Sequence, residues 1–188
     1  MKLFASVLSA RVALCFAILM VAMNFGTLPA AAAPVALSSL LGPSAVGTWR
    51  TQDGTEVTVA PCPEGLCGTL SYIVIPKKNA ADCRAMDHTA FGSLMLDYGN
   101  PDKTLQTRTL LGLTMLTITP TSDPNNYTAK VYNPTDGSTN DVQIFIVDGG
   151  STLRIGGGCV GTMCVVTQDW PKVADRPEAP DFTCEGGQ

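Results

Sequence analysis

From Val46 to Trp170 the chain repeats one rhythm: a short run rich in Val, Ile, Thr and Tyr, then a break of Gly, Pro, Asn or Asp. Gly reaches positive φ, Pro removes a ladder donor, and Asn and Asp hydrogen-bond their own backbone, so each break turns the chain. Eight strands follow, over residues 46–51, 55–60, 67–75, 110–119, 127–133, 141–147, 151–156 and 163–170. Gln52-Asp53-Gly54, Pro134-Thr135-Asp136-Gly137 and Asp148-Gly149-Gly150 read as tight hairpin turns. No segment keeps a helical period over three turns, although a short helix fits near residues 80–88. The stretch 76–103 is long for a connection in a compact domain, and such loops tend to carry function or small elements of their own. Eight antiparallel strands in about 120 residues predict an all-β fold, a small up-and-down β-barrel wide enough for a filled core or one small ligand. A two-sheet sandwich is the alternative with the same strand count.

The first residues obey a different rule. Val12 to Met23 is an apolar run of 12 residues, preceded by Lys2 and Arg11 and followed by Ala30-Ala31-Ala32. A bilayer span needs about 20 apolar residues, so residues 1–32 read as a cleavable signal peptide and no stable membrane insertion is expected after cleavage. Residues 33–45 form a flexible lead-in, 46–172 the barrel domain, and 173–188 an extended tail. Removing Lys2 and Arg11 leaves 10 basic and 16 acidic residues, a formal charge of −6. That balance argues against nucleic acid and against anionic lipid headgroups as partners.

Cys15 leaves with the leader, and six cysteines remain: Cys62, Cys67, Cys83, Cys159, Cys164 and Cys184. An even count in an exported chain points to disulfides, with 15 formal connectivities. Cys62-Pro-Glu-Gly-Leu-Cys67 and Cys159-Val-Gly-Thr-Met-Cys164 share one spacing with turn residues inside, which favours two local bridges and leaves Cys83 to Cys184. That last bridge pins the tail. Pairing of Cys62 with Cys159 across the barrel end is the competing arrangement. Zinc is disfavoured, because zinc knuckles use closer spacing and reducing surroundings.

Val46-Gly47-Thr48-Trp49-Arg50 opens the first strand with Gly-x-Trp, as lipocalin-like barrels do. Around it stand Gln52-Asp53-Gly54, Val59-Ala60-Pro61-Cys62, Leu66-Cys67-Gly68, Asn100-Pro101-Asp102, Thr109-Leu110-Leu111-Gly112-Leu113, Val131-Tyr132-Asn133-Pro134-Thr135-Asp136-Gly137-Ser138, Leu153-Arg154-Ile155 and Thr167-Gln168-Asp169-Trp170. This ordered set, over about residues 46–172, resembles the bacterial exported family called domain of unknown function 2147. The resemblance implies a lipocalin-like barrel, a periplasmic or secreted location and no established activity. The chain departs from the family pattern at Asn133, Asn140 and Pro171-Lys172, so the cation that closes over Trp49 falls to Lys172 or Arg154. The insertion with Cys83 and His88 is also atypical.

No catalytic constellation stands out, so a non-enzymatic role is expected. His88 is the only histidine, which rules out a multi-histidine metal site, and Asp87-His88 has no serine elbow to serve. Asp136-Gly137 lacks the twelve-residue calcium-loop rhythm and reads as a turn. Asn126-Tyr127-Thr128 matches a glycosylation sequon only by accident in a bacterial chain. No metal, cofactor or redox motif is expected. The barrel interior is the remaining site. Alternation places Leu70, Tyr72 and Val74, then Leu111, Leu113 and Met115, then Val142, Ile144 and Ile146, with Leu153 and Ile155, on inward faces. Of these, Tyr72, Val74, Leu113, Met115, Ile144, Ile146 and Leu153 are the candidate ligand contacts, while Gly47 and Trp49 are structural, Trp49 plugging the base. The expected partner is a small, partly apolar molecule. The alternative is an envelope protein met through surface loops by a barrel with a filled interior.

Overall fold

The computed structural model describes residues 44–184; the predicted signal peptide and the lead-in up to residue 43 lie outside the described residues. Among the described residues nine strands form: β1 (Gly47–Arg50), β2 (Glu56–Cys62), β3 (Gly65–Ile75), β4 (Thr114–Pro120), β5 (Asn126–Asn133), β6 (Ser138–Val147), β7 (Thr152–Gly157), β8 (Val166–Val173) and β9 (Asp181–Cys184). Helices α1 (Ala80–Ala85) and α2 (His88–Leu94) lie between β3 and β4. Each of β1 to β8 pairs antiparallel with its sequence neighbours, and β1 also pairs with β8, which closes the ring. The result is the eight-strand barrel that the turn rhythm predicts. Closure pairs away most of the ladder these strands would otherwise leave open.

Inward positions of all eight strands meet in one core that includes Trp49, Val57, Val59, Leu116, Ile118, Tyr127, Ala129, Ile144, Ile146 and Leu153. Trp49 is completely buried, and its indole N–H donates to the Ala45 carbonyl at 2.8 Å. Lys172 is the cation over this ring, with Nζ 5.2 Å from the centroid, and it donates to the Val46 carbonyl at 3.0 Å. Arg154 is engaged elsewhere, on Asp169 at 2.7 Å. The glycine of Gly-x-Trp has a direct cause: Gly47 sits at φ +134°, and a Cβ there would lie 2.6 Å from Lys172 Cε. No other residue lets the lysine stem cross β1 to reach the tryptophan.

Several sequence expectations shift. The fourth strand begins at Thr114, because Leu110 N–H bonds the Met95 carbonyl at 2.8 Å and the chain turns at Gly112. The last barrel strand is displaced from 163–170 to Val166–Val173: Val160 and Met163 close their own small bridge inside the disulfide loop, and the strand runs on through Pro171. The single short helix expected near 80–88 is a pair, α1 and α2, divided at Met86 and Asp87. Asp87 caps α2 by accepting the Thr89 and Ala90 N–H groups.

The tail is also not plain coil. β4 pairs only with Leu66 to Thr69 of β3, so the outer half of β3 lacks a neighbour on that side. Strand β9 fills the vacancy, pairing parallel with Tyr72 to Ile75. On the way the tail straps the outside of the barrel: Thr48 Oγ1 donates to Asp175 at 2.5 Å, and Arg176 binds Glu56 through two hydrogen bonds. Disulfides join Cys62 to Cys67, Cys83 to Cys184 and Cys159 to Cys164. The middle bridge ties the end of β9 to α1.

Candidate ligand cavity

The interior is filled at one end and hollow at the other. A cavity of about 1450 Å³ opens at the end that carries the β1–β2 and β5–β6 turns. Its apolar wall comes from Leu70, Ile73, Met115, Val131, Val142 and Ile155, with Leu110 from the long connection. Trp170 belongs to both the packed core and the cavity lining, so it marks the boundary between the two halves. Its indole donates to Gln168 Oε1 at 3.2 Å. Phe91, Leu94 and Met95 of the helical insertion border the mouth. A concave, mostly apolar site with a few polar groups at its rim is the usual form of a small-molecule pocket.

The predicted contacts divide between these regions. Met115 lines the cavity and Val74 borders it beside the β1–β2 turn. Leu113 lies in the core without lining the cavity. Ile144, Ile146 and Leu153 point inward but into the packed half, where they fill space. Tyr72 lies outside the barrel. Glu56 of β2 pairs with Tyr72 and Val57 with Leu70, so Ser71 is an extra residue, a β-bulge; its hydroxyl donates to the Glu56 carbonyl at 3.2 Å. The bulge reverses the alternation, turning Tyr72 out and Ile73 in. Tyr72 then lies flat under the Arg176 guanidinium, 3.6 Å from centroid to carbon. Ile73, Val131 and Trp170 line the cavity as well, outside the predicted set. Val131 and Trp170 were legible by alternation within their strands, whereas Ile73 required the bulge.

Two buried carboxylates hold the walls of the mouth. Glu56 is 1% exposed and lies between Arg50 (2.9 Å) and Arg176 (2.8 Å). Burial pushes its pKa up, but hydrogen bonds and charge from both guanidiniums outweigh that and hold it below the ordinary value. Asp97 is fully buried and accepts from Tyr132 Oη (2.6 Å), Arg108 Nη2 (2.6 Å) and Asn100 Nδ2 (3.0 Å). Burial again opposes ionisation, and these three donors overcome it, lowering the Asp97 pKa. Tyr132 is pushed up, first by burial and then by the neighbouring carboxylate. The Asp97 cluster fastens the long connection to β5. Gly99 and Gly137 permit the fit, since a Cβ on Gly137 would come within 2.2 Å of the Gly99 carbonyl oxygen.

His88 does not face the cavity; it stacks on Phe182 at 4.0 Å and its Nε2 lies 3.0 Å from Asp181. Cys62, Glu64 and Cys67 lie close enough together to suggest a metal cluster, but both sulfurs are in a disulfide and neither is a thiolate ligand.

The family model for an uncharacterized protein conserved in bacteria, domain of unknown function 2147, matches residues 47–172. The chain belongs to that family. Among solved structures it is similar to protein HP1028 of Helicobacter pylori, described as belonging to the lipocalin family. The two are 19% identical, with a TM-score of 0.50, over 71% of this chain and 85% of that one. This likeness carries the lipocalin-like barrel and nothing about its contents. No curated protein matches the chain.

Proposed function

We propose that this member of the bacterial family binds a small, partly apolar molecule in the open half of its barrel, without catalysis, in the bacterial envelope. The observation that carries the proposal is the division of the interior. The packed half already supplies a core, and the hollow half leaves an apolar wall facing an open mouth. An unfilled apolar space lacks dispersion contacts, so occupancy by an apolar body restores them. The non-catalytic part is supported by the use made of the buried charges: Glu56 and Asp97 are both ion-paired and act as fasteners. The envelope location is supported by three disulfides, which persist in oxidising compartments. Among the described residues no helix is long and apolar enough to cross a membrane.

The test is native mass spectrometry of the protein taken from its own cells without refolding. A reproducible added mass that is lost on denaturation supports the proposal and gives the ligand's composition. A bare mass in every preparation counts against it. A second reading, contact with an envelope protein, draws on the exposed tip of the Cys159–Cys164 loop, where Val160 and Met163 are 79% and 77% exposed. A bare mass together with a crosslinked protein partner at that loop would favour it.

A further inference from the structure

Resting on that reading, we infer that the mouth of the barrel docks reversibly on a lipid layer through an apolar collar, so that the cavity takes its ligand from the membrane instead of from water. Exposure carries the argument. Among the described residues the six most exposed large apolar side chains are Val165, Val160, Met163, Val166, Tyr98 and Leu94, each half exposed or more, against 39% or less for every other. All six belong to the open end. Leu94, Tyr98, Val165 and Val166 border the cavity itself, and Val160 and Met163 stand in the loop that leads into β8. Apolar exposure that is gathered at one place marks a contact surface, whereas scattered residues do not.

Strand order fixes how the collar is arranged. Four connections cross the open end in ring order: the β1–β2 turn, the insertion between β3 and β4, the β5–β6 turn and the Cys159–Cys164 loop between β7 and β8. The insertion and the loop therefore face each other across the mouth. A protein seated on both would cover the entrance, whereas a lipid layer meets both and supplies a partly apolar ligand at the same place.

The loop also suits hydrocarbon. No residue from Ile155 to Gln168 is charged, and the two cysteines are joined to each other. Val160 and Met163 exchange backbone hydrogen bonds at 2.8 and 3.2 Å, and the Val165 N–H donates to the Gly157 carbonyl at 3.0 Å. Those amides reach an apolar layer already paired, which shallow insertion requires. The disulfide packs on Gly156, where a Cβ has no room, so the loop is set before contact. Charge does not supply the attraction. Exposed Lys77 and Lys78 follow β3, Asp53 stands on the β1–β2 turn, and Asp141 is paired with Lys130 at 2.7 Å. A rim of mixed sign on a chain of net charge −4 fits zwitterionic headgroups.

The experiment is cosedimentation of the full exported chain with dioleoylphosphatidylcholine vesicles at low and high salt. The wild-type protein should sediment with the vesicles equally in both. Val160→Asp with Met163→Asp should weaken vesicle binding by about tenfold or more, because two apolar contacts are lost and two charges must stay in water. Val160→Thr with Met163→Gln, uncharged and similar in shape, should show a smaller loss in the same direction. Neither position lines the cavity, so uptake of N-phenylnaphthylamine, followed by its fluorescence in vesicle-free solution, should be unchanged in both variants. Three results would overturn the docking inference and leave the cavity-binding reading standing: wild-type protein that takes up the probe but does not sediment, sedimentation that both variants keep, or sedimentation that high salt abolishes. A protein partner crosslinked at the loop of a chain that does not sediment would give this surface to that partner instead. Failure of the folded protein to take up the probe, with or without vesicle binding, would overturn the cavity reading and this inference with it.

Discussion

The two halves of this barrel use the same strands and opposite packing. Toward the end where β1 begins, Trp49, Val57, Ile118, Ile144 and Leu153 are all essentially inaccessible, and Lys172 closes over the tryptophan. Toward the other end the side chains on the same inward faces line an open cavity. Medium-sized aliphatics fill a barrel only where something large sits on the axis. Trp49 does this at one end. At the other end Gly157 and Gly158 line the cavity and the inward amides Asn140 and Gln168 stand at the rim, so the centre stays open. Stability is concentrated in the closed half, which leaves the open half free to meet a ligand. The outer strap and the Asp97 cluster compensate by holding the mouth's walls from outside.

The largest expected effect comes from releasing that strap. Cys83→Ser with Cys184→Ser opens a cross-link spanning 101 residues, and the chain-entropy account assigns about 4–5 kcal/mol to such a loop. Urea unfolding without reductant should show that loss, and binding of a neutral apolar fluorescent probe, N-phenylnaphthylamine, should weaken further as the insertion beside the mouth loosens. Trp49→Ala should cost about 3–5 kcal/mol, as expected for deleting a fully buried aromatic, with any probe affinity that survives little changed in the remaining folded protein. An equal loss of probe binding would erase the distinction between the halves.

The fasteners give a smaller, pH-dependent effect. Glu56 and Asp97 both have depressed pKa values in the folded state. Their contribution is therefore complete above the ordinary carboxylate pKa values of about 4 and is lost as pH falls through the lower folded values. Stability should decline with acid in that window, and Glu56→Gln should flatten the decline while costing about 1–3 kcal/mol at neutral pH. A wild-type stability that rose on acidification would contradict the pairing. Smallest of all, Met115→Ala in the open half should cost only about 1 kcal/mol, since it enlarges an existing space instead of opening a new one. It should change probe affinity more than it changes the unfolding midpoint.

Much of this was legible in the sequence, and the boundary has physical causes. Strands, hairpin turns and the two short-range disulfides depend on neighbours in the chain, and alternation with turn chemistry reports those directly. Ser71 looks like one more polar residue in an alternating run; its role as a bulge depends on the register against Glu56, 15 positions away, so alternation alone places Tyr72 inward and the structure places it outside. β9 forms because β4 leaves half of β3 unpaired, a property of the assembled sheet. Asn100 and Tyr132 both stand in motifs that the family resemblance highlights, but their contact spans 32 positions and its purpose is visible only with Asp97 between them. Alternation marks which residues point inward. It does not say which end is filled, so it does not separate Ile144, Ile146 and Leu153 of the packed half from the cavity wall.

The central claim is that one half of the interior is a ligand site and the other a structural plug. It is tested most directly by titrating the labelled protein with N-phenylnaphthylamine and following side-chain methyl signals by NMR. The account predicts large shifts at Met115, Val131, Val142 and Ile155 and near silence at Val57, Ile118 and Leu153. Shifts spread equally through both sets, or confined to Val160 and Met163 on the outer loop, would contradict it.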